Sequence, residues 1–376
     1  MNIHFRTSSM EREFLFHMTG GEGERSYANN SSIQRTIMLK AKTMLEEAIR
    51  RLCCHSSPDC MKVADLGCSV GPNTLLVMSN IIDIVHAVCV RFNREPPTFQ
   101  FYLNDLFGND FNTIFKSLPD FYTKLEQDKG QKSGSCFINA TPGSFHGRLF
   151  PSNSINLFHS ANSMHWLSQD PFLGLSKEAL NKGSCHIVST SPPYVYTTFL
   201  KQFQKDFELF LKSRSEELVP GGAMVLVLLV RTETPRRSIY ETISVTLTDM
   251  LLEGLIEEEK MDSFNIPIYE PTVEEIIQVI GEEGSFFIQE SEIAMVPWGA
   301  RKSEDDDEFL IDENIGAAEF ITRCIRAVTE PLLAANFGKN IMNKLFIRFQ
   351  KKIVQLMEVE ILEYANLIIY LTKNCS

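Results

Sequence analysis

Apolar residues along this chain fall into short runs and helical stripes. Residues 62–66 (KVADL) make one short run, which stops at Gly67. From Asn73 to about Arg91, apolar residues recur at Leu75, Val77, Met78, Ile81, Ile82, Ile84 and Val85, the spacing of a helix with one buried face. A strand that enters a glycine turn and then a helix opens a doubly wound α/β sheet. Further strand-like runs stand at 99–103, 136–140, 154–159, 185–189 and 223–230, the last behind the turn signal Pro220-Gly221-Gly222. Two late runs, 285–295 and 362–372, also read as strands and flank a helical-looking stretch at 315–350. Stretches 238–259 and 271–283 read as helices outside the alternation.

This pattern predicts an α/β fold, a Rossmann-like sheet completed by two terminal strands and covered by an α-helical cap. Residues 1–376 read as one unit, with the core over about 15–230 and 285–376 and the cap over about 231–284 with part of 310–340. No internal repeat or low-complexity segment interrupts it, and the acidic run at 303–308 reads as a solvated loop.

Composition narrows the function classes. Of 376 residues, 44% are hydrophobic, enough for a sizeable core. The net charge of −12, with Lys and Arg scattered among Asp and Glu, leaves no basic stripe for nucleic acid or an anionic membrane. The longest apolar run, 223–230, is too short to span a bilayer, and MNIHFRTSSM lacks the apolar stretch of a signal peptide. The nine cysteines, an adjacent pair at Cys53 and Cys54 and otherwise isolated residues, carry no C-x-x-C spacing. They read as reduced thiols, and the expected location is cytoplasmic.

The chemistry starts at Ala64-Asp65-Leu66-Gly67-Cys68-Ser69-Val70-Gly71-Pro72-Asn73-Thr74. Gly67 and Gly71 let the backbone turn sharply and approach a ligand. A dinucleotide fingerprint would need glycine at 69 and 72, where the chain has Ser69 and Pro72. That counts against a nicotinamide cofactor and costs an S-adenosylmethionine site nothing, because no pyrophosphate must rest on the helix. Asp65 is placed to accept from the cofactor's amino group, directly or through water. Asp105, in LNDL, is placed to grip two ribose hydroxyls with its two acceptor oxygens. A plain strand–turn–helix with two loop carboxylates fits this stretch equally well.

The stretch His17-Met18-Thr19-Gly20-Gly21-Glu22-Gly23-Glu24-Arg25-Ser26-Tyr27-Ala28-Asn29-Asn30-Ser31-Ser32-Ile33-Gln34 resembles the opening motif of the plant SABATH methyltransferases. These methylate salicylic, jasmonic, benzoic and indole-3-acetic acids and include purine-alkaloid N-methyltransferases. The resemblance continues through ADLGCSVGPN, LNDLFGNDFN, TPGSFHGRLFP, SMHWLSQ, NKG, STSPP, GLIEEEKMDSFNIPIY and RCIRAVTEPLL, in the family's order. It implies a soluble enzyme with S-adenosyl-L-methionine as cofactor, a small carboxylic acid as partner and a homodimer. It implies cofactor contacts at Tyr27, Ser31, Asp65, Gly67, Asn73, Asp105, Leu106, Ser144 and Phe145, with Tyr27 closing over the methyl-donor region. Gln34 and Trp166 resemble the pair that holds the substrate carboxylate. Asn181, Asp262, Phe264 and Asn265 resemble a magnesium site of some members, an oxygen donor set that suits a hard cation.

A small carboxylic acid has a pKa near ~4, so it is ionised at neutral pH and needs no general base. The enzyme must place one carboxylate oxygen in line with the sulfonium methyl, roughly 3 Å away, and exclude water. The neutral donors of Gln34 and Trp166 suit that task, since they orient the carboxylate without the grip of an arginine. His165 reads as a specificity residue and His159 as structural. The apolar wall aligns with Leu228, Ile239, Tyr240, Tyr269, Ile325 and Tyr364. Thr19 stands where relatives commonly have asparagine or lysine, Asn162 where salicylate-type enzymes carry an aromatic, and Val230-Arg231 where Gly-Arg is usual. Asn162 adds a polar group that suits a substrate with a second hydrogen-bonding atom, such as an indole N–H, and His-Ser-Ala-Asn-Ser-Met-His-Trp leans toward indole-acetate-type members. Three other readings stay open at this point: an N-methyltransferase of a purine-type heterocycle, a nicotinamide oxidoreductase, and a binding module without turnover.

Overall fold

The computed structural model describes residues 17–55, 58–129, 135–175, 181–232, 237–302, 309–311 and 314–374. The N-terminal MNIHFRTSSM and the acidic run at 303–308 lie outside them. Helices α1 (Ser32–Lys40) and α2 (Lys42–His55) precede β1 (Cys60–Leu66). Then come α3 (Pro72–Arg91), β2 (Thr98–Asp105), α4 (Phe111–Lys129), β3 (Cys136–Pro142), β4 (Ile155–Ala161), α5 (Pro193–Glu217) and β5 (Leu218–Val230). Helices α6 (Ile239–Leu252), α7 (Glu258–Asp262) and α8 (Val273–Glu283) lead to β6 (Phe286–Pro297). The chain ends with β7 (Ala300–Lys302), β8 (Phe309–Ile311), α9 (Asn314–Phe337), α10 (Lys339–Met357) and β9 (Glu363–Lys373).

Seven strands form one sheet in the order β3-β2-β1-β4-β5-β9-β6, while β7 and β8 pair separately. The pairs among β1 to β5 are parallel, and β9 runs antiparallel to both β5 and β6. Strands covered on both faces are apolar at consecutive positions, and β5 is buried without a break from Gly222's successor Ala223 to Val230. On one side, Val63, Val225 and Val227 join a cluster with Met78 and Ile81 of α3. That cluster also holds Ile243 and Leu247 of α6, Ile321 of α9, and Leu345 and Phe349 of α10, so these helices share the core of the sheet. On the other side, Ala64, Leu226 and Leu228 pack with Phe199, Phe203, Phe207 and Phe210 of α5 and Ile276 and Ile280 of α8. Helix α3 is long and apolar enough to match a bilayer, but its Val77, Met78, Ile81, Ile82, Ile84 and Val85 are buried in the fold.

Three segments differ from their sequence patterns, each for a local reason. The run at 185–189 is not a strand, because side chains take its hydrogen bonds: Cys185 N–H donates to Ser244 Oγ (3.0 Å) and Ser189 N–H to Glu241 Oε1 (2.8 Å). Pro220-Gly221-Gly222 lies within β5, where the register against β4 shifts and Gly221 takes φ 72°. Between Leu218 and Ala223 the strand takes three more residues than β4 does, so the turn signal is an irregularity inside the strand. The helical stretch at 315–350 is two helices broken at Gly338, which stands at φ 90°.

One glycine fixes the path of the N-terminal segment. Gly71 stands at φ 113°, and a Cβ there would fall 2.7 Å from Ala28 Cα, a backbone atom. Replacing Gly71 with alanine should therefore destabilise the fold by roughly 1–3 kcal/mol. Urea unfolding measures this, and a variant as stable as wild type would refute the close approach.

Candidate active site

The site grows from the ends of β1 and β2. Gly67 N–H and Cys68 N–H both donate to Asn104 O, each at 2.9 Å. The buried Asn104 amide donates to Thr141 O (2.7 Å) and Gly143 O (2.9 Å), which ties the loop after β3 to the same point. Asp105 Oδ2 accepts Ser69 N–H and Oδ1 accepts Leu106 N–H, each at 2.8 Å. Ser69 takes φ 52°, supplying the left-handed turn where a dinucleotide fingerprint has glycine. Burial pushes the Asp105 carboxyl up to about 6, against the pull of those two N–H groups.

These elements enclose a cavity of about 720 Å³, its mouth included. Gly67, Ser69, Asp105, Leu106, Ser144, Phe145 and Tyr27 line it together with Met18 and His146. Its described lining holds no Lys or Arg, and burial holds the His146 imidazole below its ordinary range. A nucleoside with vicinal hydroxyls fits this chemistry: Asp105 offers acceptors, Phe145 an aromatic face, and nothing cationic waits for a phosphate.

Ser31, Asn73 and Asp65 do not line this cavity. Asn73 Nδ2 donates to Ser31 O (2.9 Å) and Ser31 Oγ (3.0 Å), pinning the N-terminal segment to α3. Asp65 accepts from Thr74 Oγ1 (2.9 Å) and from His159 Nδ1 (2.8 Å), so both its oxygens already hold protein donors.

A second cavity of about 550 Å³ shares Met18, Tyr27, Asn162 and Trp166 with the first. Its other walls are Ile33, Gln34, Ile37, His165, Leu229, Tyr240, Cys324, Ile325, Val328 and Tyr364. Three buried polar atoms in this otherwise apolar space have no partner: Gln34 Oε1, Asn162 Nδ2 and His165 Nδ1. Asn162 stands at φ 57° while its N–H donates to Val227 O at 2.9 Å, which fixes the backbone that carries the amide. Burial lowers His165 to about 4, so its imidazole is neutral. Unpartnered buried polar groups are costly, and their convergence marks the place where a ligand supplies the missing bonds.

Four of the expected wall residues lie elsewhere. Leu228 packs on the opposite face of the sheet and its neighbour Leu229 lines the cavity, as strand alternation requires. Ile239 is buried in the core beside the cavity wall, and Tyr269 lines a third cavity. Thr19 acts through its backbone: its N–H donates to Ala327 O and its carbonyl accepts Tyr27 N–H, both at 2.9 Å. Met18, Ile33, Ile37, Leu229, Cys324 and Val328 are wall residues the sequence reading does not single out. Helical spacing about Gln34 and Ile325 is the signal that reaches two of them, Ile37 and Val328, and Ile33 and Cys324 stand one turn before those.

Three of the four residues of the expected magnesium set, Asn181, Asp262 and Asn265, are held by hydrogen bonds to one another and to their neighbours. Asp262 Oδ1 accepts Gly183 N–H at 2.8 Å, and Asn181 Nδ2 donates to His186 O (3.0 Å) and Asn265 Oδ1 (3.2 Å). Asn265 donates in turn to Asp170, while the Phe264 ring meets Phe337 edge-on at 5.3 Å. Of the oxygens a cation would need, Asp262 Oδ1 and Asn265 Oδ1 already accept N–H donors of the protein.

A nucleoside cavity without a phosphate cradle, opening on an apolar pocket, is what an S-adenosylmethionine-dependent methyltransferase requires. Comparison with known proteins makes the assignment specific. The model of the SAM dependent carboxyl methyltransferases matches residues 13–374, and the chain belongs to that family, the plant SABATH enzymes. Jasmonate O-methyltransferase of Arabidopsis thaliana is 42% identical over 97% of this chain and 100% of the relative. Probable caffeine synthase MTL2 of Coffea canephora is 44% identical over 97% and 98%. A solved structure of loganic acid methyltransferase with SAH matches at TM-score 0.80 and 31% identity, covering 95% of this chain and 98% of that one. The protein is an S-adenosylmethionine-dependent methyltransferase with the Rossmann-like sheet of its family.

The loop carrying Ser144 and Phe145 is braced by a buried ion pair at the end of α5. Arg214 donates to Phe145 O and Gly147 O, and its Nε to Glu217 Oε2, each at 2.7 Å. Glu217 Oε1 accepts Leu149 N–H (2.5 Å) and Phe150 N–H (2.9 Å). The guanidinium lies 5.1 Å from the Phe158 ring and 5.3 Å from that of Phe210. Removing one partner of such a pair strands the other charge in the core. Glu217→Ala is expected to cost about 3–5 kcal/mol in urea unfolding and to weaken S-adenosylhomocysteine binding measured by calorimetry on the folded fraction. Unchanged values in both would show that the loop stands without its brace.

Proposed function

We propose that this enzyme forms the methyl ester of a small, largely apolar carboxylic acid that carries a second hydrogen-bonding atom. The observation that carries the reading is one apolar cavity lined by Gln34, Trp166, Asn162 and His165, in which Asn162 Nδ2 and His165 Nδ1 lack partners. The Gln34 amide and the Trp166 indole N–H orient the carboxylate, and neither carries a charge that would hold it back. Asn162 and neutral His165 read the second polar atom. Indole-3-acetic, salicylic and jasmonic types fit this description, the indole N–H being one candidate for that atom, while a benzoic type would fill the apolar space without it.

S-adenosylmethionine supplies an electrophilic sulfonium methyl when bound. The acceptor arrives as an anion, since carboxylic acids have pKa values near ~4, and His165, held at about 4, is not needed as a base. Tyr27, Met18, Asn162 and Trp166 border both cavities and exclude water from the space between them. Anion and cation neutralise each other on transfer, so a dry pocket favours the step. A ring nitrogen of a purine-type heterocycle is the second reading, favoured by the identity to the Coffea relative and by the same unpartnered donor and acceptor.

The test is labelled methyl transfer to a panel of these acids, with xanthines beside them. Base-labile label on one acid supports the ester reading, and base-stable label on a xanthine overturns it in favour of N-methylation. Gln34→Ala and Trp166→Phe should each lower kcat/KM for the acid roughly tenfold to a hundredfold while leaving the KM for cofactor near wild type. The cofactor KM should rise as pH falls through about 6, because Asp105 then takes a proton and loses an acceptor for the ribose hydroxyls. Asp105→Asn should bind the cofactor more weakly and lose that pH dependence, and an unchanged profile in this variant would assign the titration to another group.

A further inference from the structure

Trp166 is carried by irregular backbone, and the last hold on that backbone comes from outside both cavities. Segment 162–168 follows β4 and supplies Asn162, Ser163, Trp166, Leu167 and Ser168 to the cofactor cavity. Its polar ties run to three places. Asn162 N–H donates to Val227 O at 2.9 Å, which fixes its start on β5. Leu167 N–H donates to Pro267 O (2.8 Å) and His165 O accepts Tyr269 N–H (2.9 Å), which hold its middle against the chain after α7. At its end, Ser168 N–H donates to Asp206 Oδ2 (2.8 Å) and Ser168 Oγ to Asp206 Oδ1 (2.7 Å).

Asp206 is buried in α5, at 4% exposure, and Gln202, one turn earlier, donates its amide to the same Oδ1 at 2.9 Å. Asp206 lines neither cavity, yet both its oxygens are committed to a segment that does. On the same helix, Arg214 and Glu217 brace the loop of Ser144 and Phe145. Asp206 and Glu217 share a helical face, about 16 Å apart along the axis. One rigid element therefore sets the spacing of two loops that line the cofactor cavity. No hydrogen bond holds the Trp166 indole N–H among the described residues, so its aim depends on the path of its backbone and on the packing of its ring.

We propose that Asp206 is a positioning residue for methyl transfer: by taking both donors of Ser168, it fixes the backbone that aims the Trp166 indole N–H at the acceptor carboxylate. That role rests on the proposed part of Trp166 in holding the carboxylate. Without the Asp206 oxygens, Ser168 is left with a buried N–H that has no acceptor, and the segment shifts to find one. A misplacement of about 1 Å at a reacting group is enough to cost a hundredfold in rate.

Labelled methyl transfer reads the effect, on whichever of salicylic, benzoic, jasmonic and indole-3-acetic acids the wild type methylates fastest. Asp206→Leu, of similar volume, should lower kcat/KM for the acid roughly tenfold to a hundredfold. Asp206→Asn, which keeps one acceptor for Ser168 N–H, should lower it about threefold, and carries both tests if the leucine variant fails to fold. The discriminating comparison is made on Trp166→Phe, which has no indole N–H. There Asp206→Leu should cost little more, because the group it positions is already gone, whereas damage to the fold or the cofactor cavity would add in full. Full additivity overturns the proposal, as does wild-type kcat/KM in Asp206→Leu. Wild-type kcat/KM in Trp166→Phe alone would remove the part of Trp166 itself, and the role of Asp206 with it.

Fluorescence gives a second readout that needs no acid. The chain has two tryptophans, so Trp298→Phe leaves Trp166 as the one indole. In that background Asp206→Leu should increase acrylamide quenching of Trp166 and lower its anisotropy, with Tm and S-adenosylhomocysteine binding measured on the same samples. Unchanged quenching and anisotropy in folded protein would overturn the assignment.

Discussion

Asn104 and Asp105, the last two residues of β2, hold three loops in one place. The carbonyl of Asn104 takes the turn after β1, its side chain takes the loop after β3, and the carboxylate of Asp105 takes Ser69 and Leu106. Every one of these contacts is backbone on at least one side, so the geometry depends on strand register more than on side-chain identity nearby. The parallel pairing of β1 with β2 and of β2 with β3 sets that register. The nucleoside cavity exists because three strand ends stop level with one another, which is the usual place for ligands in such sheets.

What lies above that level is held differently. The N-terminal segment crosses from α9, through Thr19 and Tyr27, to α3 at Ser31 and Asn73, and Gly20 and Gly21 sit against Asp110 at the start of α4. It thereby brings Met18, Tyr27 and Gln34 over the strand ends, and the acceptor pocket is a joint product of the first, middle and last thirds of the chain. Helices α6, α9 and α10 share the sheet's apolar cluster, so helices and sheet form one packed core.

The sequence made the strand–turn–helix after Lys62 legible because a single apolar run, two glycines and a clean helical stripe all agree there. The last strand was legible for a similar reason, as Leu367–Leu371 is an unbroken apolar run, whereas β6 shows only apolar ends around Gln289–Glu292. Periodicity reaches less far at α4, which carries Pro119 inside it, and at α5, whose aromatic residues read as strand or helix alike. It misplaces 185–189, an apolar run that is buried as irregular backbone because Ser244 and Glu241 supply its hydrogen bonds from a distant helix. Motif resemblance brings Gln34, Trp166, Asn162 and His165 to one pocket, yet it cannot fix strand parity, and Leu229 rather than Leu228 faces the ligand. Nor does spacing reveal Arg214 and Glu217, since a buried ion pair looks in sequence like any exposed i, i+3 pair on a helix.

The absence of fixed positive charge around the described acceptor pocket bears on how turnover ends. An arginine would grip an arriving anion firmly and would be left desolvated and unmatched once that anion became an ester. Gln34 and Trp166, in the proposed role, would face no stranded charge, because a neutral amide and an indole N–H still bond an ester carbonyl, though more weakly than a carboxylate oxygen. With neutral His165 beside them, the pocket has little electrostatic reason to retain what it has made. Departure of the ester is then governed by its apolar surface and by how readily the shared wall of Tyr27 and Met18 yields, so a bulkier acid would tend to leave more slowly than it reacts.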